Sequence, residues 1–188
     1  MGSGQGRPRG QEVQGRPGHL DARPEGAPLC FWFGAWDPHR GYEAGSGVAD
    51  GIALEDVHLF GHFPDDPVVR SDVAGYYVEV QRFDRDVARL MEQLEAIGEL
   101  DNTLLVVTGD HGMPFPRCKG NVHEPGARVP LAARWGNRLA AGHTVRDLAP
   151  PIHVAPPFLD APGPAVPPQL TGRTLPPPLR PTGTAAFL

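Results

Sequence analysis

Residues 71 to 112 read SDVAGYYVEVQRFDRDVARLMEQLEAIGELDNTLLVVTGDHG, and they carry the clearest signals of secondary structure in the chain. Apolar residues recur in its first part at spacings of three and four, which predicts an amphipathic helix. They are Val73, Tyr76, Tyr77, Val80, Phe83, Val87, Leu90, Met91, Leu94 and Ile97. Ser71-Asp72 can cap its N-terminus, and Gly98 suits the position after its C-terminus. The β-branched run Thr103 to Thr108 predicts a buried strand.

Further apolar runs on both sides of this stretch predict the rest of the sheet. A long helix that leads into a buried strand is half of a βαβ unit, so the fold class is α/β with a largely parallel sheet flanked by helices. The run Leu29 to Trp36 does not alternate, which is typical of a strand covered on both faces. Val57 to Phe60 could form a short strand. Val129 to Trp135 predicts another, where Pro130 indicates a strand start or an edge.

The two ends of the chain differ in composition from its middle. The sequence holds 24 Gly and 23 Pro among 188 residues, close to the proportion at which disorder is expected. These residues concentrate at the ends. We therefore predict a disordered Gly/Arg/Pro-rich segment over 1–28, one α/β domain over 29–160, and a Pro-rich tail with little regular structure over 161–188.

The overall composition argues against several classes of function. A net charge of −5 gives no basic surface for nucleic acid. Cys30 and Cys118 are too few for a disulfide framework and lack C-x-x-C spacing, although one disulfide between them stays open. No apolar run reaches the ~20 residues that cross a bilayer, and no signal peptide is visible, so we predict no membrane partner and make no prediction of localisation.

The strongest site signal is Thr108-Gly109-Asp110-His111-Gly112, directly after the predicted buried strand. Ligands of open α/β sheets gather at the carboxyl ends of strands. Asp110 and His111 can offer a carboxylate oxygen and an imidazole nitrogen to one divalent cation. Gly109 and Gly112 would let the backbone bend tightly around that cation. The alternative is an ordinary turn in which Asp110 caps and His111 is solvated.

Two other polar groups could face this one. Asp37-Pro38-His39-Arg40 also follows a predicted strand, although His39 taken alone could be an ordinary loop histidine. Lys119 lies in the loop after Gly112, and an ammonium beside a metal can neutralise a sulfate or a phosphate. A solvated basic loop is the alternative reading of Lys119.

Several motifs, in one consistent order, resemble the second half of type I sulfatases of the alkaline phosphatase superfamily. The turn Asp37-Pro38-His39-Arg40 resembles the D-P-H-R turn of the heparan N-sulfatase-like branch. The other matching segments are 76–84, 100–112, 114–121, 124–131, 147–150 and 167–173. The resemblance covers roughly residues 29 to 175, which makes the domain over 29–160 a partial sulfatase domain.

The resemblance implies a fold, a metal and a substrate. The expected fold is part of an alkaline phosphatase-like sandwich. Asp110 and His111 would bind a calcium-type metal, with manganese as the alternative because an imidazole is a softer ligand than oxygen. His39 and Lys119 would be the catalytic and substrate-binding residues that contact the sulfate. The expected substrate is a sulfated small molecule or glycan.

Some family features are missing from these residues. The sequence contains no C-x-P-x-R or C-x-A-x-R motif, whose cysteine becomes the formylglycine nucleophile. It also lacks the first strand of the family, which ends in the Asp pair that completes the metal site. Trp36 stands where relatives often have a histidine. We therefore expect sulfatase membership with no activity of this chain alone. The alternatives are a phosphomonoesterase or phosphonate hydrolase of the same superfamily, and a non-catalytic truncated remnant.

Overall fold

The computed structural model describes residue 24, residues 27–144, residue 167, residues 169–170 and residues 186–187. The described chain forms two compact units. Gly34–Leu90 and His111–Arg128 belong to the first; Met91–Asp110 and the described residues from Val129 onward belong to the second, together with those before Gly34. The predicted segment 1–28 and tail 161–188 lie almost wholly outside the described residues, so the predicted division of the chain stays a prediction.

The predicted amphipathic helix is present but begins earlier than expected. Helix α1 is a short turn at Ser46–Ala49, a 3-10 turn follows at Leu54–Asp56, and the long helix α2 spans Pro67–Ala96. The carboxylate of Asp66 accepts a hydrogen bond from the backbone N–H of Val68 at 2.8 Å, and Pro67 fills the first helical position, where its missing donor costs nothing. The predicted cap at Ser71-Asp72 is therefore wrong, and Asp72 lies inside the helix.

The C-terminus of α2 ends as the sequence predicts. Gly98 has φ of 72°, a left-handed conformation that glycine adopts without steric cost. The N–H of Gly98 donates to the carbonyl of Glu95 and the N–H of Glu99 to that of Leu94, both at 2.9 Å. These two bonds form a Schellman motif, which satisfies the last carbonyls of the helix.

The sheet of the second unit has the order β2–β1–β3. Strand β1 is Thr103–Thr108, β2 is Leu131–Arg134 and β3 is Ala186–Phe187. The pairing of β1 with β2 is antiparallel and places Thr108 opposite Leu131, whereas the short pairing with β3 is parallel. Strand β2 starts directly after Pro130 at the edge, as expected. The α/β class is confirmed, but a largely parallel sheet and a sandwich are not confirmed by the residues that the structure describes.

Two predicted strands are absent. Leu29 to Trp36 has no strand pairing among the described residues, and its side chains alternate between half-buried and exposed, with Trp32 87% exposed. A run of aromatic residues satisfies a strand pattern, but a strand also needs a neighbour for its backbone hydrogen bonds. Val57 to Phe60 is irregular as well, and the carbonyl of Val57 accepts a hydrogen bond from the guanidinium of Arg70 at 2.9 Å.

The core of the first unit joins α2 to the loop after His111. Its buried members are Val57, Val73, Ala74, Phe115 and Cys118. Both cysteines are free, Cys30 exposed and Cys118 buried, so the disulfide left open by the sequence is not formed. Among the described residues, no helix combines the length and the apolar character needed to cross a bilayer.

Candidate functional site

His39 lies on a tight turn in the first unit. Its backbone N–H donates to the carbonyl of Trp36 at 3.0 Å, and its ring lies 5.5 Å from the Trp36 ring, between centroids. Nδ1 of His39 is 2.8 Å from the carbonyl oxygen of Arg40. A carbonyl oxygen only accepts, so Nδ1 carries the hydrogen and the orientation of the imidazole is fixed by its own turn.

Arg40 connects this turn to two other segments. Its two terminal nitrogens donate to the two carboxylate oxygens of Asp72 on α2 at 3.1 and 2.8 Å. Its Nε donates to the carbonyl of Pro114 at 3.2 Å, and its guanidinium lies 4.8 Å from the centre of the Phe115 ring. The pKa of Arg40 is raised, chiefly by the hydrogen bond with Asp72. The side chain therefore links the His39 turn, α2 and the loop after His111.

Asp37, at the other end of the turn, contacts a buried carboxyl group. Glu79 is 4% exposed, and the side chain of Asp37 lies close enough to act on its carboxyl group. Burial raises the pKa of Glu79, and the contact with Asp37 raises it further, while the pairing with Arg82 opposes both. A carboxyl group that is buried beside another carboxyl group retains its proton at pH values above its ordinary pKa.

The raised pKa of Glu79 predicts a pH dependence of stability. Above the ordinary pKa of 4.5 the unfolded state releases this proton while the folded state keeps it, so stability falls as pH rises toward the raised pKa. The slope is at most about 1.4 kcal/mol per pH unit. Relative to the wild type, E79Q should become progressively more stable over that window, measured by urea unfolding at a series of pH values. E92Q, at an exposed position of α2, is the control and should retain the wild-type profile.

Lys119 follows a short, anchored loop in the same unit. Its backbone N–H donates to the carbonyl of Met113 at 3.0 Å, and the preceding Cys118 is fully buried. Burial raises the pKa of the Cys118 thiol, so this cysteine is held as an inert core residue. Lys119 is exposed, and it is the only lysine in the sequence. The loop therefore presents one ammonium group from a fixed backbone.

The glycine of the D-H-G segment serves close packing. Neither Gly109 nor Gly112 has a positive φ, and their expected role in bending the backbone around a cation stays a prediction. A Cβ on Gly112 would lie 1.9 Å from the carbonyl oxygen of Pro125, and one on Gly126 would lie 2.1 Å from that of Cys118. The N–H of Gly112 donates to the carbonyl of Gly126 at 3.0 Å. The two glycines allow the backbone at Pro125 and Gly126 to pack closely against the segment carrying His111 and against the segment carrying Lys119.

Asp110 and His111 follow β1, as predicted, and both are exposed. Nδ1 of His111 lies 2.9 Å from the carbonyl oxygen of Gly112, so Nδ1 carries the hydrogen and a metal would bind through Nε2. The part of the chain that the structure describes contains no group of three or more His, Cys, Asp or Glu side chains placed to hold a metal. Calcium takes six to eight oxygen ligands. Asp110 and His111 therefore fit a partial ligand set.

The predicted site residues are distributed unequally between the two units. His39, His111 and Lys119 all belong to the first. Asp110 is the residue before His111 and closes a segment of the second. Sequence reasoning gave no role to Arg40, placed Asp72 at a helix end and did not single out Glu79. Contacts between residues 32 and 74 positions apart leave no signal in a single sequence.

Comparison with known proteins tests the resemblance. The family model described as Sulfatase matches residues 18–163, more than three quarters of the chain. The chain belongs to the sulfatase family.

Several curated sulfatases match parts of this sulfatase chain. Human N-sulphoglucosamine sulphohydrolase is 35% identical over 96 residues, which cover 47% of this chain and 19% of that protein. N-acetylglucosamine-6-O-sulfatase from Bacteroides thetaiotaomicron is 36% identical over 112 residues, 57% of this chain and 20% of that protein. The chain thus spans about a fifth of the length of these relatives.

A solved structure supports the same relationship. It shows a protein in complex with its substrate D-glucosamine-2-N,6-O-disulfate and matches with a TM-score of 0.55 and 30% identity, over 74% of this chain and 29% of that one. The predicted sulfatase resemblance is therefore confirmed by both sequence and structure.

Proposed function

We propose that this chain contributes to sulfate-ester or N-sulfate hydrolysis by supplying the sulfate-binding side chains His39 and Lys119 and the metal ligands Asp110 and His111. The observation that carries the proposal is the hydrogen bond from Nε of Arg40 to the carbonyl of Pro114. Arg40 belongs to the segment that bears His39, and Pro114 belongs to the loop that leads to Lys119. The guanidinium of Arg40 therefore links these two segments. Family membership and the names of the relatives support sulfate as the group that is bound.

The proposed roles follow from charge. A sulfate ester carries a negative charge that is spread over its free oxygens and moves toward the leaving group as the S–O or S–N bond breaks. The ammonium of Lys119 neutralises the free oxygens. Because Nδ1–H of His39 is bonded to the carbonyl of Arg40, the ring can donate a proton to the departing atom only from Nε2 of its imidazolium form. A divalent cation beside Asp110 and His111, with further ligands, would add positive charge at the same oxygens.

Hydrolysis also needs a nucleophile. Neither cysteine is followed by arginine four residues later, and Cys118 is buried and serves the core. Groups that act as a catalytic unit lose nearly all activity when one is removed. We therefore propose that these 188 residues alone bind a sulfated ligand without turning it over.

The substrate proposed is a sulfated amino sugar. The relative with 35% identity is named for a sulphoglucosamine and the one with 36% identity for a sulfated N-acetylglucosamine. Calcium stays the proposed metal. Manganese is the alternative, because one of the proposed ligands is an imidazole nitrogen.

The test compares three ligands on the same chain in the presence of calcium. D-Glucosamine N-sulfate should bind about tenfold more tightly than D-glucosamine, because only the first offers an anion to Lys119. D-Glucosamine 6-phosphate should bind more weakly than the N-sulfate, and no release of sulfate should be detected. Equal binding of sulfated and unsulfated sugar would contradict the proposal, and preference for the phosphate would favour a phosphomonoesterase instead.

A further inference from the structure

The turn that carries His39 is held against one face of α2 at both ends. Arg40 binds both carboxylate oxygens of Asp72, and Asp37 lies close enough to Glu79 to affect the pKa of its carboxyl group. Asp72 and Glu79 are about two helical turns apart and therefore lie on the same face of α2. A rigid helix thus provides the surface on which the turn is placed.

Arg40 also reaches the loop that leads to Lys119. Its Nε donates to the carbonyl of Pro114, and its planar guanidinium lies against the ring of Phe115, which is 8% exposed. Phe115 and Cys118 are both core residues, and Lys119 is bonded directly to Cys118. One side chain therefore contacts the helix, the core of the Lys119 loop and the turn to which it belongs.

The ion pair of Arg40 with Asp72 is expected to contribute little to the folding stability of the chain. The side chains of Arg40 and Asp72 are 45% and 39% exposed, and exposed ion pairs add little to folding stability because water screens them. What this arrangement does fix is geometry. A bidentate pair with a carboxylate and a third bond from Nε leave the guanidinium one orientation, which lysine could not reproduce.

We propose that Arg40 is a positioning residue of the sulfate site, which holds His39 and Lys119 in register with each other by joining their segments to α2. It acts through those two side chains and does not contact the sulfate itself. The inference rests on the proposed function, since it requires that His39 and Lys119 bind sulfate.

The experiment measures the affinity of the 188-residue chain for inorganic sulfate. Labelling with ¹³C,¹⁵N-lysine places a single lysine side chain in the NMR spectrum, so the Lys119 signal reports binding directly. R40A should weaken sulfate binding about tenfold or more, because small displacements of positioned groups have large effects. D72N leaves Arg40 in place but removes its anchor on α2, and should weaken binding in the same direction. R40K keeps the positive charge without the bidentate geometry and should remain close to R40A.

Arg70 provides the matched control. Two nitrogens of Arg70 donate to the carboxylate of Asp65, and a third donates to the carbonyls of Leu54 and Val57. None of these hydrogen bonds goes to the His39 turn or to the loop that leads to Lys119. R70A should lower the urea midpoint while leaving sulfate affinity within about twofold of the wild type. All affinities are measured where urea melts show each variant to be folded.

The outcomes separate the positioning role from the proposed function. Wild-type affinity in R40A, full recovery in R40K, or an equal loss in R70A would each overturn the positioning role while the sulfate site stands. Absence of any sulfate-dependent shift of Lys119 in the wild type would overturn the proposed function, and the positioning role would fall with it.

Discussion

The alanine variant of Gly112 is expected to lose most of the stability of the unit that carries His39 and Lys119. An added Cβ would lie 1.9 Å from the carbonyl oxygen of Pro125 and 2.9 Å from Gly126, and both obstacles are backbone atoms that no side-chain rotation can move. The backbone must therefore separate, which breaks the bond from the Gly112 N–H to Gly126. We expect a cost of at least about 3 kcal/mol.

Urea unfolding followed by circular dichroism measures this cost, and G61A is the control. Gly61 lies in the same unit, has no atom near the position of a Cβ, and has no positive φ, so alanine there should change stability by less than about 0.5 kcal/mol. G126A should resemble G112A, since its Cβ would lie 2.1 Å from the carbonyl oxygen of Cys118. If G112A and G61A unfolded at the same urea concentration, that result would contradict the close packing of Gly112 against the backbone of Pro125 and Gly126.

The second large effect is expected at Lys119. K119A should weaken binding of D-glucosamine N-sulfate by about 10- to 100-fold, the worth of roughly 1.5–3 kcal/mol for a hydrogen bond to a charged group. The folded state should be little affected, because the Lys119 side chain is exposed and the backbone bond to Met113 remains. Calorimetric titration measures the change in affinity, and a thermal melt measures the change in stability.

Arg117 provides the control for Lys119. It is exposed, carries the same charge and lies two residues earlier in the loop. R117A removes one positive charge without removing the proposed ligand contact, so it should reduce affinity only through the screened long-range field, by less than about threefold. Equal losses in K119A and R117A would mean that the loop attracts anions in general and has no specific sulfate contact.

The local features of the fold were predictable from sequence because they depend on neighbouring residues. Helix α2 follows from apolar spacing, its end from Gly98, and β1 from a β-branched run. The start of α2 was misplaced because several residues near Asp66 can cap a helix, and the choice among them depends on tertiary contacts. The strand predicted over Leu29 to Trp36 was wrong because composition says nothing about whether a pairing partner is present.

The sequence was enough to propose the residues of the candidate site, but it did not indicate the residues that support them. His39, Asp110, His111 and Lys119 stood out because they match motifs of the family or follow strands. Arg40, Asp72 and Glu79 act across long separations in sequence, and only the folded chain brings them together. The need for Gly112 was likewise attributed to turn geometry, whereas close approach of two backbone segments explains it.

A titration with D-glucosamine N-sulfate in the presence of calcium tests whether His39, His111 and Lys119 share one sulfate site. The chain is isotopically labelled in its histidine rings and in its single lysine. The signals of His39, His111 and Lys119 should shift together with one dissociation constant, while those of His58 and His62 should not move. Shifts confined to other histidines, or different dissociation constants for His39 and Lys119, would contradict a shared sulfate site in this sulfatase chain.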